Sequence, residues 1–139
     1  MAVEIFQITH NDFPTIKAIT GLHEAYFIGH LGWEFSFSED IGNYLGSFTT
    51  RLHSEGNGLW VAMSEQDIIG SIVIDRKDYG PESARLRLFI VDASYQNQGI
   101  GKRLMDHAVA FCKKNGYKKI LLWTFKTLHA AKAIYLRQL

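Results

Sequence analysis

The 139 residues include 15 Lys/Arg and 14 Asp/Glu, giving a net charge of +1, and are 47% hydrophobic and 21% charged, which suits one globular domain with one core over residues 1–139. No apolar run approaches the ~20 residues of a membrane span, and Met1-Ala2-Val3-Glu4 lacks the basic and long apolar regions of a signal peptide. Lone Cys112 permits no internal disulfide and no Cys/His cluster has zinc spacing, so the chain reads as cytosolic and without a metal.

The small net charge hides an asymmetry. Residues 1–96 hold six Lys/Arg and thirteen Asp/Glu, whereas residues 97–139 hold nine Lys/Arg and only Asp106. A basic C-terminal part suits a polyanionic ligand. Lys113, Lys114, Lys118 and Lys119 also fit the solvated face of a helix and its exit. The excess is too small to point to nucleic acid.

In chain order, Val3 to Ile8 is a partly alternating strand. Asn11 or Asp12 can cap a helix with Pro14 in its first turn, and Ile16, Ile19, Leu22/His23, Tyr26 and Phe27 form its stripe. Gly29 to Gly32 breaks it. Trp33, Phe35 and Phe37 alternate through the following segment. Ser38 can cap a second helix, with Ile41, Tyr44/Leu45, Phe48 and Leu52 as its stripe, closed by Gly56-Asn57-Gly58. Leu59 to Met63 is a strand, Ser64 to Asp67 a turn, and Ile68 to Ile74 the antiparallel partner. Asp75 to Ser83 is a polar loop. Ala84 to Val91 is the next strand, and Phe89-Ile90-Val91 within it is continuously apolar.

After that strand comes Gln96-Asn97-Gln98-Gly99-Ile100-Gly101. Ile100, Leu104, Ala108, Phe111 and Cys112 then form one helical stripe, with Lys102 and Arg103 off it and Asn115-Gly116 at a plausible C-cap. The glycines therefore sit where a strand hands over to a helix N-terminus. Free N–H groups there favour an anion, and missing side chains let a diphosphate approach. A tight turn with no ligand is the alternative. A Rossmann fingerprint fails because Gly101 is followed by Lys102-Arg103-Leu104, and a nucleotidase phosphate loop fails at Arg103. Lys119 to Thr124 is an apolar strand, and Leu128, Ala131 and Ile134/Tyr135 suggest a closing helix from Leu128 to Tyr135.

These residues resemble the GNAT superfamily of acyl-CoA-dependent N-acyltransferases. Gln96 to Gly101 matches its Gln/Arg-x-x-Gly-x-Gly/Ala signature, and the likeness runs from about Leu86 to Tyr135. The resemblance implies an α/β fold, a mixed α+β sheet of order βααβββαβα: an antiparallel meander feeding one parallel βαβ crossover. The family continues with two more strands, which would leave this domain C-terminally short at Leu139. An exposed sheet edge there could be covered by a homodimer.

The implied activity is an acetyl-CoA-dependent N-acetyltransferase, with acetyl-CoA as cosubstrate, no metal, and a small-molecule or peptide amine as acceptor. Neither nucleic acid nor membrane is an expected partner. By the same resemblance, Gln96, Asn97, Gln98, Gly99, Ile100, Gly101, Lys102 and Arg103 hold the CoA diphosphate, and the Phe89, Ile90 and Val91 backbone binds the pantetheine. Tyr135 matches the helical tyrosine that acts as general acid toward the departing thiolate. Leu128 stands where the family pattern has a cofactor-supporting asparagine. A base must take the amine's proton. Glu24, Glu34 and Asp75 are candidates, although each suits a plain surface charge better. Trp33, Phe35 and Phe37 could line an acceptor pocket or pack on the core. The other reading is a non-catalytic CoA-binding or dimerising remnant of the family.

Overall fold

The computed structural model describes residues 2–10, 13–27, 36–76, 82–123 and 131–135. Its elements are β1 (Val3–Ile8), α1 (Phe13–Phe27), α2 (Ser36–Thr49), β2 (Gly58–Ser64), β3 (Asp67–Asp75), β4 (Ser83–Val91), α3 (Ile100–Lys114), β5 (Lys119–Trp123) and β6 (Ala131–Tyr135), with a short 3₁₀ turn at Ala93–Tyr95. The six strands form one sheet in the order β1-β2-β3-β4-β5-β6. All neighbours are antiparallel except β4 and β5, which are parallel and joined through α3. This is the expected meander feeding one crossover.

Strand alternation divides the core into two layers. Leu59, Val61 and Val73 point toward α1 and α2, where they meet Ile19, Ile41, Leu45 and Phe48. Trp60, Ala62, Ile72 and Ile74 point the other way and meet the α3 stripe, Ile100, Leu104, Ala108 and Cys112. Both faces of the central strands are thus covered. This explains the short, continuously apolar runs in β2 and β3. Trp60 packs edge-on against Phe111 at 5.0 Å between ring centres, which ties β2 to the helix.

The end of α3 forms as its glycine suggests. Gly116 has φ +79°, its N–H donates to Lys113 O at 3.2 Å, and the Tyr117 N–H donates to Cys112 O at 3.0 Å. This double return satisfies helix-end carbonyls and turns the chain into β5. Tyr117 is then buried, with its hydroxyl donating to Gly56 O at 2.8 Å.

Two boundaries differ from expectation. α2 starts at Ser36, so Ser38 lies inside the helix and does not cap it. Residues 131–135 form β6, where the closing helix was expected. Ala131 and Ile134/Tyr135 fit a helical stripe, but Ala131, Ala133 and Tyr135 fit strand alternation as readily. The outer edge of β5 supplies a five-residue ladder from Lys119↔Tyr135 to Trp123↔Ala131, satisfying backbone groups that an open edge would leave unpaired. The order over the described residues is therefore βααβββαββ. Glu34, Trp33, Phe35 and Leu128, and the helix cap at Asn11 or Asp12, lie outside the described residues.

Candidate functional site

The site is built where β4 turns into α3. β4 pairs with β5 only at Ser83↔Lys119, Ala84↔Ile120 and Arg85↔Leu121, although β4 runs on to Val91. Beyond Arg85 the β4–β5 pairing stops, leaving the β5-facing edge of β4 without a strand partner among the described residues. On its other side, β4 shifts register against β3 between Ser71↔Ile90 and Val73↔Arg87, so two residues of β4 stand opposite one of β3. The bulge has Leu88 at φ +49°, and the Ser71 hydroxyl donates to Leu88 O at 2.7 Å, holding it in place. Nothing in the sequence marks Leu88 as a bulge residue.

The connection to α3 is tied at several points. The Asp92 N–H donates to Ile69 O at 2.7 Å, and the Asp92 carboxylate accepts from the Ser94 N–H at 2.8 Å. The Gln96 side-chain amide donates to Val91 O at 3.1 Å. Gln96 thus fixes the loop to the end of β4. Asn97 at φ +65° and Gly99 at φ +79° both adopt the left-handed conformation. Left-handed residues spaced through such a turn bring backbone N–H groups to one side, where they form an anion-binding concavity.

Gly99 is the N-cap of α3 and supplies no side-chain capping bond. The helix begins with the Arg103 N–H donating to Gly99 O at 3.1 Å, so the first-turn N–H groups ahead of Arg103 face outward from the ladder. A Cβ on Gly99 would meet no atom within 4 Å, so space does not demand glycine there and the backbone angle does. Gly101 is different. Its φ lies outside the left-handed region, and an added Cβ would reach Phe89 Cζ at 3.5 Å and Val91 Cγ2 at 3.7 Å, ordinary contact distances. Neither angle nor packing requires that glycine, whereas the close approach of an anion to the N-terminal turn would.

The predicted binding residues fall into four groups. Gln96, Asn97, Gln98 and Gly99 are exposed on the turn, and Gly101 is half-buried beside them. Lys102 and Arg103 are exposed on the first turn of α3; the Lys102 ammonium also pairs with Asp106 at 3.0 Å. Ile100 is buried in the α3 layer and offers the site only its backbone. Along β4, Phe89 is 41% exposed while Ile90 is buried.

Tyr135 is not brought to this turn. It lies in β6 opposite Lys119, and Lys119 is level with Ser83 at the start of β4. From Ser83 to Val91 a strand spans roughly 25 Å at ~3.3 Å per residue. The helix on which Tyr135 was expected does not form over 131–135.

Of the candidate bases, Asp75 is buried and accepts from Arg51 at 2.9 and 3.3 Å and from the Tyr44 hydroxyl at 2.6 Å. Burial, then the hydrogen bond to Asp75 and the Asp75 charge, push the Tyr44 hydroxyl well above its ordinary pKa. Arg87 stacks over the Tyr44 ring at 3.7 Å. Asp75 is thus held in a structural network near the start of β4. The sequence hints at this network only through charged residues set inside otherwise apolar strands. Glu24 is half-buried on α1. No group of three or more His, Cys, Asp or Glu that could hold a metal occurs among the described residues, and none of their helices is long and apolar enough to cross a membrane.

A model of the acetyltransferase (GNAT) family matches residues 16–139. Human N-acetyltransferase 8B is 31% identical over 124 residues, covering 86% of this chain and 55% of that protein. The curated relatives matched are covered over 38–55% of their length. Among solved structures, an acetyltransferase of the GNAT family from Staphylococcus aureus Mu50 superposes with a TM-score of 0.71 at 22% identity, covering 88% of this chain and 73% of that one. N-acetylglutamate synthase from Neisseria gonorrhoeae, complexed with coenzyme A and L-arginine, superposes with a TM-score of 0.61 at 17% identity, covering 90% of this chain and 25% of that one.

Proposed function

The chain belongs to the GNAT family of acetyltransferases, and from that premise we propose that it transfers an acetyl group from acetyl-CoA to an amine. The observation that carries this reading is the turn itself, with left-handed Asn97 and Gly99 leading into an N-terminus of α3 that no side chain caps. The CoA diphosphate would sit on the N–H groups of this turn, with Lys102 and Arg103 adding positive potential. Gly101 leaves room for that approach. The β5-facing edge of β4 beyond Arg85 would take the pantetheine amides along Phe89, Ile90 and Val91.

Acetyl-CoA supplies an activated acyl group. The protein's task is to place it and to stabilise charge developing on its carbonyl oxygen. Backbone N–H groups at the β4 bulge can do this without a reactive side chain, provided water is kept out. The amine must be neutral to attack, so its proton has to leave before or during transfer.

A variant pair tests the diphosphate cradle. Asn and Asp both tolerate a left-handed backbone, so Gly99→Asn and Gly99→Asp carry similar strain and differ in charge. Calorimetry should find acetyl-CoA binding retained by the Asn variant and lost by the Asp variant. Equal binding by the two would remove the diphosphate from this turn.

A second reading, cofactor binding without transfer, is favoured by one observation. The strand at 131–135 sets Tyr135 at the end of the sheet away from the turn, so its expected role as acid lacks its structural setting. Thiol release from acetyl-CoA across a panel of amines separates the two readings: transfer requires amine-dependent release, and the second reading requires binding with none.

A further inference from the structure

A groove of about 630 Å³ runs between α1 and the β2–β3 hairpin. α1 contributes Ala18, Gly21 and Ala25, whose small side chains leave the space open; Met63, Asp67 and Ile68 line the hairpin side, and Asp92 and Tyr95 complete the wall. A second hollow of about 150 Å³ shares Leu22, Ala25 and Asp92 with it and reaches Ile90 and Val91 of β4. The groove is thus continuous with the strand proposed to carry the pantetheine.

Its charge is one-sided. Among the described residues, Asp67 lines the larger groove and Asp92 lines both hollows, and neither lining holds a Lys, Arg or His. Neither carboxylate has a cationic partner among the described residues. Asp92 accepts the Ser94 N–H, and the Tyr95 hydroxyl is directed to Ser64 Oγ at 3.4 Å, so the polar groups are held in place. Two carboxylates between apolar walls focus a negative potential along the groove.

We propose that this groove recruits the acceptor in its protonated form, as an ammonium on an apolar body, with Asp67 and Asp92 setting the preference against anionic acceptors. The proposal rests on the acetyl-transfer reading above and adds the charge class of the acceptor. An acceptor bearing a carboxylate would meet like charge at Asp67 and again at Asp92. The apolar body would lie against Leu22, Met63 and Ile68.

The test uses 4-phenylbutylamine and 4-phenylbutyrate, which share a body and differ in the sign of their charge. Each is titrated into the full, ¹⁵N-labelled chain while the amides of Gly21, Ala25, Asp67 and Asp92 are followed. The amine should shift these amides and the carboxylate should not. In the Asp67→Asn/Asp92→Asn double variant the amine's affinity should fall about fivefold. The carboxamide introduced by Asp92→Asn still offers an oxygen to the Ser94 N–H, so the turn keeps its tie. Should the double variant fail to fold, Asp67→Asn alone on the exposed hairpin should give a smaller loss in the same direction. Equal responses to the two probes, shifts confined to another surface, no response to the amine, or unchanged amine affinity in the folded variants would overturn the proposal. Acetyl-CoA is titrated separately into each protein. Loss of that binding in the unaltered chain would strike the transfer reading, while the amine-against-carboxylate comparison still decides the groove's preference.

Discussion

At His23 the fold takes a titratable ring out of water. The residue is 2% exposed, with Nδ1 2.8 Å from Ile19 O. Burial holds its pKa below the ordinary 6.5, against a smaller upward pull from that hydrogen bond. The unfolded chain therefore takes up a proton before the folded one does. The stabilising contribution is present above pH 6.5 and is lost as pH falls from there through the folded value. Thermal unfolding followed from neutral to mildly acid pH should show this loss, and His23→Gln should reduce the slope. A slope unchanged in the variant would place the titration elsewhere. Cys112 gives a second check. Burial pushes its thiol up to about 12, so it should resist alkylation in the folded protein and react only on unfolding. Labelling at the folded rate of an exposed thiol would contradict the α3 packing. At this scale the sequence was partly legible. Gly99 and Gly116 stood out because glycine so often marks a left-handed position, and Asn97 is of a type that tolerates it, whereas the same conformation at Leu88 had no residue-type signal.

The elements were readable wherever a period met a single environment. The α3 stripe predicted its buried face because residues off that stripe have only solvent to meet. Leu104, fully buried between α3 and the sheet, should cost about 3 kcal/mol when cut to Ala, measured by denaturant unfolding. A cost near zero would contradict the layer assignment. The network behind α2 makes a separate prediction. Tyr44→Phe removes the donor to Asp75 and should cost about 1–2 kcal/mol, since a buried carboxylate then loses one of its partners. The residues at 131–135 escaped prediction for a definite reason. A run as short as the five residues Ala131 to Tyr135 satisfies the spacing of a helix or a strand, and the decision falls to the unpaired edge of β5, which sequence spacing does not reveal.

Over the whole molecule, the two-layer core serves to hold one geometry. α1 and α2 cover one face of the sheet and α3 the other, and between them β4 carries a bulge, an edge unpaired among the described residues and the turn into α3. The turn's backbone could be read in the sequence because a strand that hands over to a helix through a left-handed glycine shows residue types at fixed spacing. The structural network of Asp75, named from the sequence as a candidate base, could not, because its partners Arg51 and Tyr44 are 24 and 31 residues away. The acceptor groove was equally hidden, since α1, the β2–β3 hairpin and Asp92 meet only through the tertiary fold. The most direct measurement is a titration of the ¹⁵N-labelled chain with CoA, following the backbone amides from Asn97 to Lys102. The account predicts saturable binding with the largest shifts at these amides. A folded chain that leaves them unmoved, or that binds CoA with its largest shifts elsewhere, would contradict it.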